Sequence, residues 1–323
     1  MQALLDAIAT MSLPQDACRI FHGRGGVHPG CEQWVLDAYP PVFVLTSFAP
    51  ASEEELVTIG AALQARWAQI APADEPLNWV FQHRGEALRT EGRSETRLMA
   101  GSVPDPHVVT EAGVRFRVHV LRGQNHGLFL DMAEGRRWAH DYATARRADR
   151  YGLKVLNLFA YTCAFSVVAL QSGAKQVVNV DMSRGAIATG QQNHQLNGIT
   201  TGASFLAHDI FSSWGKITRS GPYGLVIVDP PSYQKGSFVA TKDYARLLRR
   251  LPDLLAPGGH ALLCLNAPEL GTDFILKQLR EIAPELTFVE RVANPATFAD
   301  VDAERALKVL VVRAPDLPSP TAL

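Results

Sequence analysis

No C-x-x-C pair occurs in this chain, and its four cysteines, Cys18, Cys31, Cys163 and Cys264, are widely spaced. That spacing indicates neither a zinc site nor a disulfide framework. Long apolar runs are absent too. Every continuous hydrophobic stretch is of strand length, so no membrane span is expected. No basic, apolar, small-residue leader opens the sequence, and the expected location is the cytoplasm. Charge of one sign is also missing: 31 lysines and arginines stand against 32 acidic residues, a net charge of -1, with a pI near 6.8. Strong phosphate binding usually shows as a basic domain or stripe, so the overall balance counts against a nucleic-acid substrate. Finally, the dinucleotide fingerprint G-x-G-x-x-G is absent, which weakens an NAD-dependent oxidoreductase reading.

What is present is a globular composition, 47% hydrophobic and 20% charged over 323 residues, enough for a full core and for two domains or one with an appendage. The organising stretch is Tyr223 to Ser237, YGLVIVDPPSYQKGS. Leu225 to Val228 is the apolar, branched run of a strand covered on both faces, which belongs to a mainly parallel sheet. Asp229 follows at its carboxyl end, where open α/β sheets place their ligands. Pro230 and Pro231 fix φ twice and remove two N–H donors, so Asp229 to Tyr233 leaves the sheet as a stiff loop bearing a carboxylate, free carbonyls and an aromatic ring.

Other buried strands are expected at Lys154 to Phe159, Gln176 to Asp181, Ala203 to Ala207 and Ala261 to Leu265, with a closing pair at Leu286 to Val292 and Leu307 to Val312. Asp181 lies about 20 residues beyond the turn after the first of these, the position from which a carboxylate reaches ribose hydroxyls. Ser183 should cap the helix that follows and Asn197-Gly198 should stop it. Before them, residues 41–130 read as a small α+β unit: a strand at Val42 to Phe48, a helix from Ser52 to Trp67 with three glutamates in its first turn, and strands at Asn78 to Gln82 and Val114 to Val120. Arg115, Arg117 and His119 alternate on the last of these, as a basic face for RNA or an ordinary solvated one. Residues 1–40 read as a loop-rich arm, and the glycines of Phe21 to Gly30 as a connector rather than a phosphate loop. The tail from Ala314 carries three prolines and reads as disordered.

Three strings resemble a known family. DPPSY resembles the (D/N)-P-P-(Y/F/S) loop of S-adenosylmethionine-dependent methyltransferases that act on nitrogen or on nucleic-acid bases. NLFAYTCAFS, Asn157 to Ser166, resembles the N-L-F-(S/A)-Y-T-x-x-F-S string of the ribosomal-RNA large-subunit methyltransferases that modify cytosine C5 or guanine, with Cys163 and Ala164 where that family usually carries glycine. VDMS, at Asp181 and Met182, is the third. The resemblance covers roughly Val114 to Val312 and implies a Rossmann-like, seven-stranded class I methyltransferase sheet over residues 131–313, behind a smaller N-terminal α+β domain. It implies S-adenosyl-L-methionine as cofactor, held by Asp131, Arg136, Phe159, Ala160, Tyr161, Thr162, Asp181, Met182, Asp209, Ile210 and Asp229. Asp131 and Arg136 would lie on a short strand and helix covering the cofactor, and small residues would replace the missing glycines.

For the reaction, the resemblance implies Asp229, Pro230, Tyr233 and Asn266 around the target base. Members that methylate cytosine C5 carry a cysteine after the strand that here ends at Leu265, because C5 becomes nucleophilic only after a thiolate adds to C6. Asn266 stands there instead, as in the guanine-methylating branch, and Cys264 should point into the core. The expected partner is therefore RNA, ribosomal RNA foremost, presenting a single-stranded or flipped purine for methylation at nitrogen. Cytosine C5 methylation, a protein or small-molecule substrate, and a cofactor-binding regulatory module without chemistry stay open. Nothing along the chain signals a quaternary state.

Overall fold

A computed structural model of the chain describes residues 1–85, 95–231 and 238–317 and the backbone of 233–234. It divides into two compact units, Met1–Asp131 with Pro295–Ala303, and Met132–Asn294 with Glu304–Leu323.

The first unit is built on a five-stranded sheet of β1 (Cys18–His22), β2 (Trp34–Tyr39), β3 (Val42–Ser47), β4 (Asn78–His83) and β5 (Glu95–Ala100), in that spatial order. Helix α1 (Gln2–Thr10) precedes it. Residues 1–40, expected as a loop-rich arm, thus contribute a helix and two strands to the sheet. Helix α2 (Glu53–Ile70) makes the crossover between the parallel pair β3 and β4. Ser52 starts it as expected: its hydroxyl accepts from the Glu55 amide while the Glu55 carboxylate accepts from the Ser52 amide, a reciprocal cap. The core of this unit gathers Trp34, Leu36, Leu45, Ile59, Leu63, Trp67 and Trp79. Arg19 and Asp37, opposite each other across β1 and β2, form a two-pronged ion pair at 2.8 and 3.1 Å.

The glycine-rich loop turns out to be close packing. A side chain on Gly23 would collide with the Cys31 carbonyl and one on Gly25 with that of Ala299, while Arg24 lies over the Phe48 ring. A separate hairpin pairs β6 (His107–Glu111) with β7 (Val114–Val118). Along β7, Phe116 and Val118 are buried while Arg115 is exposed and Arg117 half-buried, the alternation the sequence shows.

The second unit carries the seven-stranded sheet: β8 (Lys154–Leu158), β9 (Gln176–Val180), β10 (Ala203–Leu206), β11 (Tyr223–Val228), β14 (Leu255–Leu265), β15 (Thr287–Val292) and β16 (Lys308–Arg313). The two remaining strands, β12 (Tyr233–Gln234) and β13 (Phe238–Val239), pair as a short antiparallel ribbon beyond β11. Spatial order is β10-β9-β8-β11-β14-β16-β15. The first five strands run parallel, and β16 lies antiparallel between β14 and β15. Val155, Leu156, Leu225, Val226 and Ile227 have no exposure at all, as central strands covered on both faces require. Cores lie on the two faces of this sheet, one including Leu156, Val226 and Leu263 and the other Val155, Leu225 and Cys264.

Two expectations change here. No strand forms over residues 127–129, since a single helical turn, Leu130–Met132, leads directly into α3 (Ala133–Ala145). Within β14, Pro257-Gly258-Gly259 forms an irregularity, where the pairing jumps from Leu255 to His260 opposite Tyr223 and Leu225 and Gly258 takes φ of 69°. The tail is ordered where it starts, because the Gly258 and Ala314 amides bond to the Pro315 and Gly259 carbonyls; residues 318–323 lie outside the described residues.

In the first unit, burial lowers His126 to about 3, with Arg84 adding to the effect, and lowers His22 to about 4, with Arg19 adding. Both rings are neutral in the fold and take up a proton on unfolding below the ordinary value of about 6.5. Stability is therefore full above pH 6.5 and declines as pH falls from there toward 3. Urea midpoints followed by circular dichroism should drop between pH 7 and pH 4, and His126→Gln should flatten part of that decline.

Candidate active site

Register brings the site residues to one edge of the sheet. Leu158 at the end of β8 lies opposite Val180 on one side and Val228 on the other, and Val180 lies opposite Leu206. Phe159, Asp181 and Asp229 therefore leave the sheet at one level. With strands about 4.8 Å apart, the backbones of Asp181 and Asp229 flank that of Phe159 at a mutual spacing of roughly 10 Å. The chain order reverses between β8 and β11, so this is the crevice in which open α/β sheets bind ligands.

The turn between β8 and α4 (Ala164–Gln171) is unusual. Phe159, Tyr161 and Cys163 take φ of 56°, 47° and 61°, left-handed values that cost a residue with a side chain about 1 kcal/mol or more each. Of the two residues standing where the family usually carries glycine, Cys163 takes this conformation and Ala164 does not; the other two left-handed positions are aromatics. The surroundings hold them there. The Tyr161 amide donates to Asp181 Oδ2 at 2.8 Å and the Ala160 amide to the Val180 carbonyl at 3.0 Å. From behind, Asn193 Nδ2 donates to the Thr162 carbonyl at 3.0 Å. Asn193 lies on α5 (Arg184–Leu196), with Ser183 capping that helix through the Ala186 amide. Gly190 on α5 leaves room for the Cys163 sulfur. Burial, with Asp181 adding, pushes the Cys163 thiol well above its ordinary range, so it packs as an uncharged group.

A buried polar chain extends this support. Asn157 donates to Asn179 at 3.0 Å, Asn179 to Ser166 at 3.0 Å, and Ser166 pairs with His194 Nε2 at 2.8 Å, while His194 Nδ1 lies 2.7 Å from the Gly190 carbonyl. The carbonyl can only accept, so Nδ1 carries the proton and Nε2 accepts from the serine. Asn193, Gly190 and this chain had no signal in the sequence: an asparagine and a glycine inside a helix read as surface or weak spots until the turn they face is known.

Asp181 has capacity left. Each oxygen takes one backbone N–H, from Tyr161 and from Ser183, and a carboxylate offers about four acceptor positions. Asp209 caps the turn after β10, accepting from the Phe211 and Ser212 amides at 3.2 Å, with Ile210 buried beside it. Met182 is exposed. Asp229 is half-buried and Pro230 buried, and beyond them Phe238 meets Phe159 edge to face at 5.4 Å. The Tyr233 side chain lies outside the described residues. Asn266 is exposed at the end of β14, where Val228 lies opposite Leu263. Cys264 is 1% exposed and faces the core that includes Val309 and Val311. Arg136 is buried on α3, and Asp131 is the last residue of the first unit's main segment.

A five-stranded parallel core extended by an antiparallel hairpin, in order 3-2-1-4-5-7-6 counted along the chain, with acids leaving strands 2 and 4 on either side of strand 1, defines a class I methyltransferase fold. Residues 18–313 match the S-adenosylmethionine-dependent methyltransferase family, and the chain belongs to it. It is 30% identical over 232 residues to ribosomal RNA large subunit methyltransferase I of Aeromonas salmonicida, covering 69% of this chain and 55% of that protein. It is 37% identical over 230 residues to ribosomal RNA large subunit methyltransferase K/L of a Psychrobacter species, covering 68% of this chain and 27% of that protein. The chain thus spans about half or less of the length of these relatives. A methyltransferase crystallised with SAH superposes with a TM-score of 0.77 at 23% identity, over 97% of this chain and 81% of that one. Among the described residues no helix is long and apolar enough to cross a membrane.

Gly190→Ala should strain this support directly, since the added carbon would lie 3.0 Å from Cys163 Cβ and collide with its sulfur. A loss of about 1–3 kcal/mol is expected, with a smaller rise in melting temperature on adding S-adenosylhomocysteine than the parent chain shows.

Proposed function

We propose that the chain methylates a base of RNA, ribosomal RNA foremost, at a purine nitrogen. The observation that carries the reading is the shared level of Phe159, Asp181 and Asp229 at the switch point of the sheet, joined to relatives named for ribosomal RNA methylation. S-Adenosylmethionine, when bound, supplies a methyl group already activated by its sulfonium. In this reading Asp181 accepts from the ribose hydroxyls, Asp209 accepts from the adenine amino group, and Ile210 packs beside that ring. Phe159 to Thr162 bring their backbone to the methionine end, with Met182 and Arg136 completing the enclosure.

Because the methyl group arrives activated, the chain's own contribution is to position the target and exclude water. The Asp229 carboxylate and the Pro230 carbonyl accept hydrogen bonds from the target nitrogen, Tyr233 stacks on the base, and Asn266 holds its edge. A base inside a helix cannot reach this edge, so the nucleotide is flipped or single-stranded. Burial of Cys264 argues against the covalent route to cytosine C5, which needs an accessible thiolate.

The direct test is transfer from labelled S-adenosylmethionine to total RNA lacking this enzyme's modification, with products identified by nucleoside mass spectrometry. Methylated guanine or adenine is expected, lost at least a hundredfold in Asp229→Ala, a size in keeping with removal of one positioning group. Label in protein or small molecules alone would overturn the RNA substrate. Cys264→Ala should keep its transfer rate within about threefold of the parent chain, whereas abolished activity with 5-methylcytosine as product would restore the covalent route.

A further inference from the structure

The loop that follows β14 rests on a charged group that the proposed chemistry does not use. Lys308, the first residue of β16, has no solvent exposure. Its Nζ donates to the Ala267 carbonyl and to the Glu304 carbonyl, each at 2.8 Å. Ala267 is the residue after Asn266, itself buried, and its carbonyl also accepts the Leu270 amide at 3.1 Å. A second grip lies at the far end of the same loop, where the Glu304 carboxylate takes the Thr272 amide and, at 3.2 Å, its hydroxyl, with Arg291 on the same carboxylate. On the other side Tyr244 donates to the Cys264 carbonyl at 3.1 Å. Residues 266–271 are therefore fixed before, within and after the turn.

Burying an ammonium is costly even when it is hydrogen-bonded, and apolar residues of similar volume often serve stability equally well. Lys308 opens β16, KVLVVR, ahead of the apolar run Val309 to Val312 and opposite Leu265, where a methionine or leucine would fill the same space. What the ammonium adds is direction: it ties the Ala267 carbonyl to that of Glu304 and so fixes the backbone from which the exposed Asn266 projects.

We infer that Lys308 is a positioning residue for Asn266, holding the loop after β14 in the geometry that methyl transfer needs while touching neither cofactor nor substrate. The inference rests on the proposed role of Asn266. It predicts a specific split, because the cofactor residues Phe159 to Thr162, Asp181 and Asp209 belong to other strands.

The test uses the full chain with Lys308→Met, and with Lys308→Gln, which keeps an uncharged donor. Affinity for S-adenosylmethionine by calorimetry should stay within about twofold of the parent, while kcat for transfer to RNA falls at least tenfold and up to a hundredfold, as small misplacements of catalytic groups do. Amide exchange over residues 266–271 should accelerate in both variants. Adding Lys308→Met to Asn266→Ala should slow the reaction no further, because the two act as one unit. Unchanged kcat, unchanged exchange, or losses that multiply in the double variant would overturn the inference. So would a joint fall of melting temperature, cofactor affinity and kcat in both variants, or failure of both to fold, since the lysine would then be a framework residue. Failure of the RNA reading itself shows separately, as absence of transfer in the parent chain, and the exchange measurement still decides on the lysine.

Discussion

The second unit depends on one short turn held against its own preference. Phe159, Tyr161 and Cys163 adopt backbone angles that glycine takes freely and side chains resist. They persist because acceptors and donors wait on both sides: Asp181 in front and Asn193 behind. Strain of this kind survives only where the surroundings over-determine it, and it concentrates at functional sites. The same carboxylate that fixes the turn is the one at hand for a ribose, so the shape of the pocket and one of its proposed contacts rest on a single side chain.

This arrangement explains why α5 is built as it is. Gly190 yields space to a cysteine sulfur, Asn193 spends its amide on a backbone carbonyl, and His194 anchors a chain of buried side-chain hydrogen bonds running to Asn157 in β8. None of these groups faces solvent, and each is paired, as burial demands. A comparable device serves the loop after β14, where a buried ammonium rather than an amide orients the backbone. The two sides of the edge are thus held from within the sheet, leaving its outer surface for ligands.

Much of this is legible in the residues. The apolar run before Asp229, the acid after β9 and the cap at Ser52 each express a local rule, and each appears where the rule puts it. Other features depend on partners distant in sequence. In β2 a single acid, Asp37, breaks an apolar run, and its pairing with Arg19, 18 residues earlier, is what lets it be buried. Pro257 to Gly259 resemble a stop but are accommodated as an irregularity against β11. Gly190 and Asn193 acquire meaning only from the turn that α5 faces.

In the proposed function Asp181 has a double role, shaping the turn and supporting the cofactor. Calorimetric binding of S-adenosylmethionine to Asp181→Ala measures it most directly. Loss of hydrogen bonds to a charged group, together with release of the Tyr161 amide, corresponds to at least a tenfold weaker affinity. Binding of the cofactor by this variant at the parent chain's strength would show that Asp181 does not have that role.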